Sequence, residues 1–170
     1  MMKQLQMSNS EVTEIEEADP YQVAQTIALN ALGPRAKSRD ELFKHLKKRG
    51  TDSEIADSVL DKLELYGFVN DLEFAKAWRD SRQRAKKLGK RVIAKELREK
   101  GIAQHIITEV VEEIDDEVEY QKAFALAERK FRSISHLESE KIYQRISSLL
   151  ARKGYGHGIT SQIMRELIAH

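Results

Sequence analysis

Between residues 76 and 100 the chain carries eleven lysines and arginines against three acids, Asp80, Glu96 and Glu99, so this window has a net charge of 11 − 3 = +8. Cations at that density attract phosphates or the carboxylates of an acidic partner through charge alone, without catalysis. Helix geometry sorts them. At about 100° per residue, Arg79, Arg82 and Lys86 fall within about 60° of one another, as do Arg91, Lys95 and Arg98 on the following stretch. Phe74, Trp78, Ala85 and Leu88 take the side opposite the first group, and Ile93 and Leu97 the side opposite the second. Solvated helix faces usually mix both signs, whereas here the acids fall off the basic stripes. Arg79, Arg82, Lys86, Lys87, Arg91, Lys95 and Arg98 are the expected binding residues. Trp78 lies on the apolar side, which favours core packing over base stacking.

Other chemistry finds no constellation. The chain has no cysteine, so it offers no thiolate nucleophile, disulfide or Cys-ligated metal. His45, His105, His136, His157 and His170 have no partners at metal-ligand spacing, and His157 lies in a Gly156-His-Gly158 segment that reads as a turn. Gly89-Lys90 superficially suggests a phosphate loop, but the position five before Gly89 holds Arg84 instead of the required glycine. The acids Glu112, Glu113, Asp115, Asp116 and Glu117 could attract a cation, yet read better as a solvated junction between units. No catalytic residue, metal or cofactor is expected.

The elements that position these residues follow from an internal repeat. Gly50, Gly101 and Gly154 close three similar strings, Leu46-Lys-Lys-Arg-Gly50, Leu97-Arg-Glu-Lys-Gly101 and Leu150-Ala-Arg-Lys-Gly154. Five positions after each glycine stand Ile55, Ile106 and Ile159; nine after stand Val59, Val110 and Ile163; thirteen after stand Leu63, Ile114 and Leu167. Steps of four make one apolar helical stripe. Each glycine sits where a helix ends in the left-handed conformation, and the cations before it suit the negative end of the helix dipole. A further helix precedes each pair, over Tyr21–Leu32, Leu72–Leu88 and Val118–Phe131. Asp71 is the expected N-cap of the second of these, and Ser38 with Glu41 forms a capping box before Leu42. Only two prolines occur, Pro20 and Pro34, and no segment alternates like a strand. The fold class is therefore all-α: three tandem three-helix repeats over 21–69, 70–115 and 116–170, stacked into an elongated rod that is free to curve, behind an acidic mobile tail at 1–20.

The total charge of +1 hides this layout: the tail carries −4 while repeat 2 holds the +8 window. No run of about 18 apolar residues exists, and no apolar leader core is present near residue 1. A soluble, cytoplasmic protein is expected.

Residues 67–102 then carry a resemblance. Gly67-Phe-Val-Asn-Asp71-Leu-Glu-Phe74-Ala75-Lys-Ala-Trp78-Arg79-Asp-Ser-Arg82, followed by Gly89 and by Glu96-Leu97-Arg-Glu-Lys100-Gly101-Ile102, closely resembles the central signature of the RecX family of bacterial regulatory proteins. Asp71, Phe74, Trp78, Arg82, Gly89, Leu97 and Gly101 match it. Ala31-Leu32, Arg35, Ser38 and Glu41-Leu42 resemble that family's first repeat, and Lys153-Gly154-Tyr155 with Ile159 and Ile163 its third. The resemblance implies three tandem three-helix repeats. It also implies a partner of the RecA filament on DNA that inhibits or modulates strand exchange, ATP hydrolysis and coprotease function; a monomer is expected. Contact with single- or double-stranded DNA would be non-specific. Two features depart from the pattern. Residues 1–20 lie outside it, and members often carry a glycine close before the equivalent of Gly89, where this chain has none. The competing expectation is a sequence-independent nucleic-acid-binding helical module of another pathway. Its third helices, Ser53–Tyr66 and Ala103–Ile114, are not basic, which speaks against groove reading.

Overall fold

The computed structural model describes residues 18–168. Among these residues the chain forms helices in three consecutive groups of three: α1 (Pro20–Leu32), α2 (Arg39–Lys48) and α3 (Ser53–Leu65); α4 (Asp71–Lys86), α5 (Lys90–Glu99) and α6 (Gln104–Glu112); α7 (Asp116–Ile134), α8 (Ser139–Lys153) and α9 (His157–Ile168). Most of the expected tail, 1–17, lies outside the described residues; its last two residues, Asp19 and Pro20, are the N-cap and first residue of α1.

Local chemistry sets the helix ends. The capping box before α2 forms as its sequence requires, with Ser38 Oγ accepting from the Glu41 amide and Glu41 reaching back to the Ser38 amide. Gly50, Gly101 and Gly154 all have φ between 72° and 91°, the region that glycine occupies at least cost. Three local expectations change. Asn70, not Asp71, caps α4, its side chain accepting from the Glu73 amide. His157 opens α9 instead of lying in a free turn. Ala85 is exposed, because α4 turns its buried side toward Phe74 and Ala75 and the chain leaves the helix after Lys86.

Each repeat has its own core. Leu42, Leu46, Val59, Leu60 and Leu63 fill the first, Ile93, Leu97, Ile107 and Val110 the second, and Ile146, Leu150 and Ile163 the third; all are at most 1% exposed. Burying each such side chain contributes about 1.5–3 kcal/mol.

The repeats join through helix ends. The Ser38 hydroxyl donates to the Lys100 carbonyl at 2.6 Å, and the Arg39 amide to Asp71 Oδ1 at 2.9 Å. One repeat later, the Gly89 amide donates to the Lys153 carbonyl at 2.8 Å, and the Lys90 amide to Glu119 Oε1 at 2.8 Å. The register is the same in both junctions. The N-cap of one middle helix meets the residue before the glycine of the next repeat. The first helical amide meets a carboxylate from the start of that next repeat. Thus α5 abuts α2, and α8 abuts α5, negative dipole end to positive dipole end. Among the described residues no hydrogen bond or ion pair links repeat 1 to repeat 3, as linear stacking requires.

Candidate anion-binding surface

The basic window folds into α4, a tight turn and α5. Lys87 closes α4 at φ 53° and ψ 46°, the left-handed conformation, and its amide donates to the Arg82 carbonyl. This is where the chain lacks the glycine that its resemblance leads one to look for; a lysine adopts the strained geometry instead. The turn is then pinned by repeat 3. Tyr155 donates its hydroxyl to the Lys87 carbonyl at 2.7 Å, Lys153 Nζ donates to the Lys86 carbonyl at 2.8 Å, and the Arg91 amide donates to the Gly154 carbonyl at 3.2 Å. Burial pushes the Tyr155 hydroxyl up to about 12, with the nearby Glu119 carboxylate adding to it, so it stays a donor at neutral pH. The amides at the start of α5 are therefore occupied. An anion at this turn must be held by side chains, not by the helix N-terminus.

The seven expected cations divide into three sets. Arg79 and Arg82 face intramolecular acids. Arg79 donates to the Val110 carbonyl at 3.1 Å and pairs with Glu113 at 2.5 Å and Asp80 at 2.9 Å. Burial opposes the Arg79 charge, but Asp80 and Glu113 outweigh it and raise the guanidinium pKa. The bond from Arg79 in turn lowers the Glu113 carboxyl, with Lys76 reinforcing it. Arg82 donates through Nε to Glu96 at 2.7 Å and lies 4.0 Å from the centre of the Trp78 ring. Trp78 Nε1 donates to the same carboxylate oxygen at 2.8 Å. Phe74 stacks with Trp78 at 5.8 Å between centroids and Lys100 Nζ sits 4.8 Å from the ring centre, so the indole is enclosed by its own repeat, as its place on the apolar side requires.

Lys86, Lys87 and Arg91 are exposed and have no ion-pair partner among the described residues; Arg84 shares both properties. These four flank Gly89 from both sides. Lys95 is exposed beside Glu99 at 3.8 Å, and Arg98 Nε contacts Gln104 at 3.2 Å. Arg84 escaped sequence reasoning because it falls between the two helical stripes. Its signal was its place two residues before the Lys86-Lys87 pair.

The acidic run is put to structural use. Asp115 caps α7 by accepting from the Val118 amide, Asp116 pairs with Lys90 at 2.5 Å, and Glu113 holds Arg79. Among the described residues no group of three or more His, Asp or Glu side chains is placed to hold a metal. Glu119, only 5% exposed, is the residue that sequence reasoning missed at the repeat 2–3 seam. It stands four residues before Ala123 on the buried stripe of α7, and a carboxylate at a core position was the available signal.

Comparison with known proteins follows the same division of the chain. Family models described as RecX first, second and third three-helix domains match residues 24–63, 70–111 and 117–164. A protein named Regulatory protein RecX from Streptomyces coelicolor is 36% identical over 150 residues, which span 88% of this chain and 80% of that one. The protein of the same name from Mycobacterium leprae is 33% identical over 154 residues, 89% of this chain and 90% of the other. The crystal structure of RecX from Lactobacillus salivarius superposes with a TM-score of 0.84 over 91% of this chain and all of that one; at 24% identity this establishes the shared fold.

Proposed function

Because the chain belongs to the RecX family of regulatory proteins, we propose that it binds the RecA filament on DNA as a monomer in the cytoplasm and regulates it without catalysis. It would inhibit or modulate strand exchange, ATP hydrolysis and coprotease function in DNA repair and the SOS response. The observation that carries this reading is the cluster Arg84, Lys86, Lys87 and Arg91, exposed around one turn and unpaired among the described residues. Cations left without internal acids contact phosphates of single- or double-stranded DNA, or acidic groups of the filament, in a sequence-independent way. Lys95 and Arg98 extend the surface along α5. Arg79 and Arg82 belong to the same face but act as positioning residues, holding α4 against α5 and α6 so that the turn projects.

Titration into RecA filaments on single-stranded DNA, with ATP hydrolysis as the readout, tests the proposal: suppression by the wild type that fades when these cations are reversed supports it. Base-specific footprints on naked DNA in the absence of RecA would support the independent nucleic-acid module instead.

A further inference from the structure

Helix α7 carries a second stripe that its own core uses only at Leu126, which is half-buried against that core and also lines the surface. Ala123, Ala127 and Ile134 face the third core. Val118, Lys122, Ala125, Leu126 and Arg129 fall on a neighbouring arc of about 100°. They line an open groove of ≈ 610 Å³ whose far rim is Lys87, delivered from repeat 2 by the turn described above. A second groove of ≈ 320 Å³ adjoins it, sharing Leu126 and Arg129 and adding Lys130, Leu149 and Lys153. Val118 is 46% exposed although it is apolar. Lys87, Lys122, Arg129 and Lys130 have no ion-pair partner among the described residues. Glu117, the acid in the first groove's lining, is already engaged by Gln121 at 2.6 Å.

We infer that this stripe is a docking surface for an acidic amphipathic helix of a partner protein. An apolar floor of Val118, Ala125, Leu126 and Leu149 offers nothing to a phosphate chain, but it accepts apolar anchors spaced i, i+3, i+4, i+7 along a helix. The cationic rim complements carboxylates on the flanks of that helix and repels a basic one. The seam matters: Lys87 joins the rim only while Tyr155 and Lys153 hold the turn, so the surface exists when repeats 2 and 3 are docked.

The test uses the full chain and three labelled probes. The first is a synthetic helical peptide with leucines at i, i+3, i+4 and i+7 and glutamates elsewhere. The second is a scramble of the same composition, and the third is a single-stranded oligonucleotide. Fluorescence anisotropy is expected to show the patterned peptide binding about tenfold or more tightly than the scramble. The double reversal Lys122→Glu, Arg129→Glu should weaken it by a similar factor. Ala125→Arg, at an exposed position that leaves the core intact, should block the groove equally. Equal binding of the scramble, preferential binding of the oligonucleotide to this stripe, or self-association of the chain through it would each overturn the inference. No RecA is present in this measurement, so its outcome is separate from the filament reading.

Discussion

Gly101 packs against Asp40 so closely that a Cβ at position 101 would collide with the Asp40 Cβ, whereas a Cβ at Gly50 would meet nothing within 4 Å. Both glycines are left-handed, at φ 72° and 84°. The two therefore isolate what docking adds to a turn. Gly154 matches Gly101: its Cβ would come 2.6 Å from the Val92 amide nitrogen. Gly50→Ala should lose only the conformational term, about 1–2 kcal/mol. Gly101→Ala and Gly154→Ala should lose at least about 2 kcal/mol more, because the Asp40 side chain from its Cβ outward, or the Val92 backbone, must move in the neighbouring repeat. Urea denaturation of the three variants measures the difference.

Glu119 joins repeats 2 and 3 from a nearly closed site, accepting from the Lys90 amide. Glu119→Ala leaves that amide without its acceptor, at a cost of about 1–3 kcal/mol, while the Lys90 ammonium keeps Asp116. Hydrogen exchange should rise at the start of α5, over 89–92, more than within the core of repeat 1.

Glu41 gives the junction of repeats 1 and 2 a pH dependence. Burial alone would raise its carboxyl, but hydrogen bonds from Arg35, Lys100 and the Ser38 amide prevail and hold it at about 2. A carboxyl depressed by folding adds stability above its unfolded pKa, near 4.5, and that stability disappears as pH falls from there toward 2. Denaturation at pH 7 and pH 3 should show a loss that Glu41→Gln reduces. The neutral variant should already be weaker at pH 7 by about 1–2 kcal/mol, a figure discounted for solvent screening.

Lys87 separates stability from binding. Its left-handed geometry suits glycine, so Lys87→Gly should hold or raise the melting temperature, by an amount equivalent to about 0.5–1 kcal/mol, while removing a cation from the proposed surface. Arg82→Ala should do the reverse within the repeat. It deprives Glu96 of its ion pair and the Trp78 ring of the nearer of its two cations, and lowers stability by about 1–3 kcal/mol. Trp78 is the only tryptophan, so its fluorescence reports the second change directly.

What the sequence displays well is whatever is local or periodic. The capping box at Ser38 and Glu41 spans three residues, and the glycine-to-isoleucine register repeats three times; both are found in the structure. Partners across helices are a different matter. A helical wheel of α4 contains only α4, so it shows Arg79 and Arg82 on a basic stripe and cannot show Glu113 and Glu96 arriving from elsewhere. Asp71 looks like a cap because it precedes an apolar run. Its carboxylate instead serves an amide 32 residues back, and Asn70 performs the local task. The division of cations into internal ties and free charges is a tertiary property. It decides which of them are available to a partner.

The most direct measurement of the filament reading is ATP hydrolysis by RecA on single-stranded DNA, titrated with the wild type and with Lys86→Glu, Lys87→Glu, Arg91→Glu combined. Circular dichroism first establishes that both are equally helical. The wild type should suppress hydrolysis at substoichiometric concentration, and the variant should require about tenfold more protein or greater. Equal suppression by the two proteins would contradict the assignment of this turn as the contact surface.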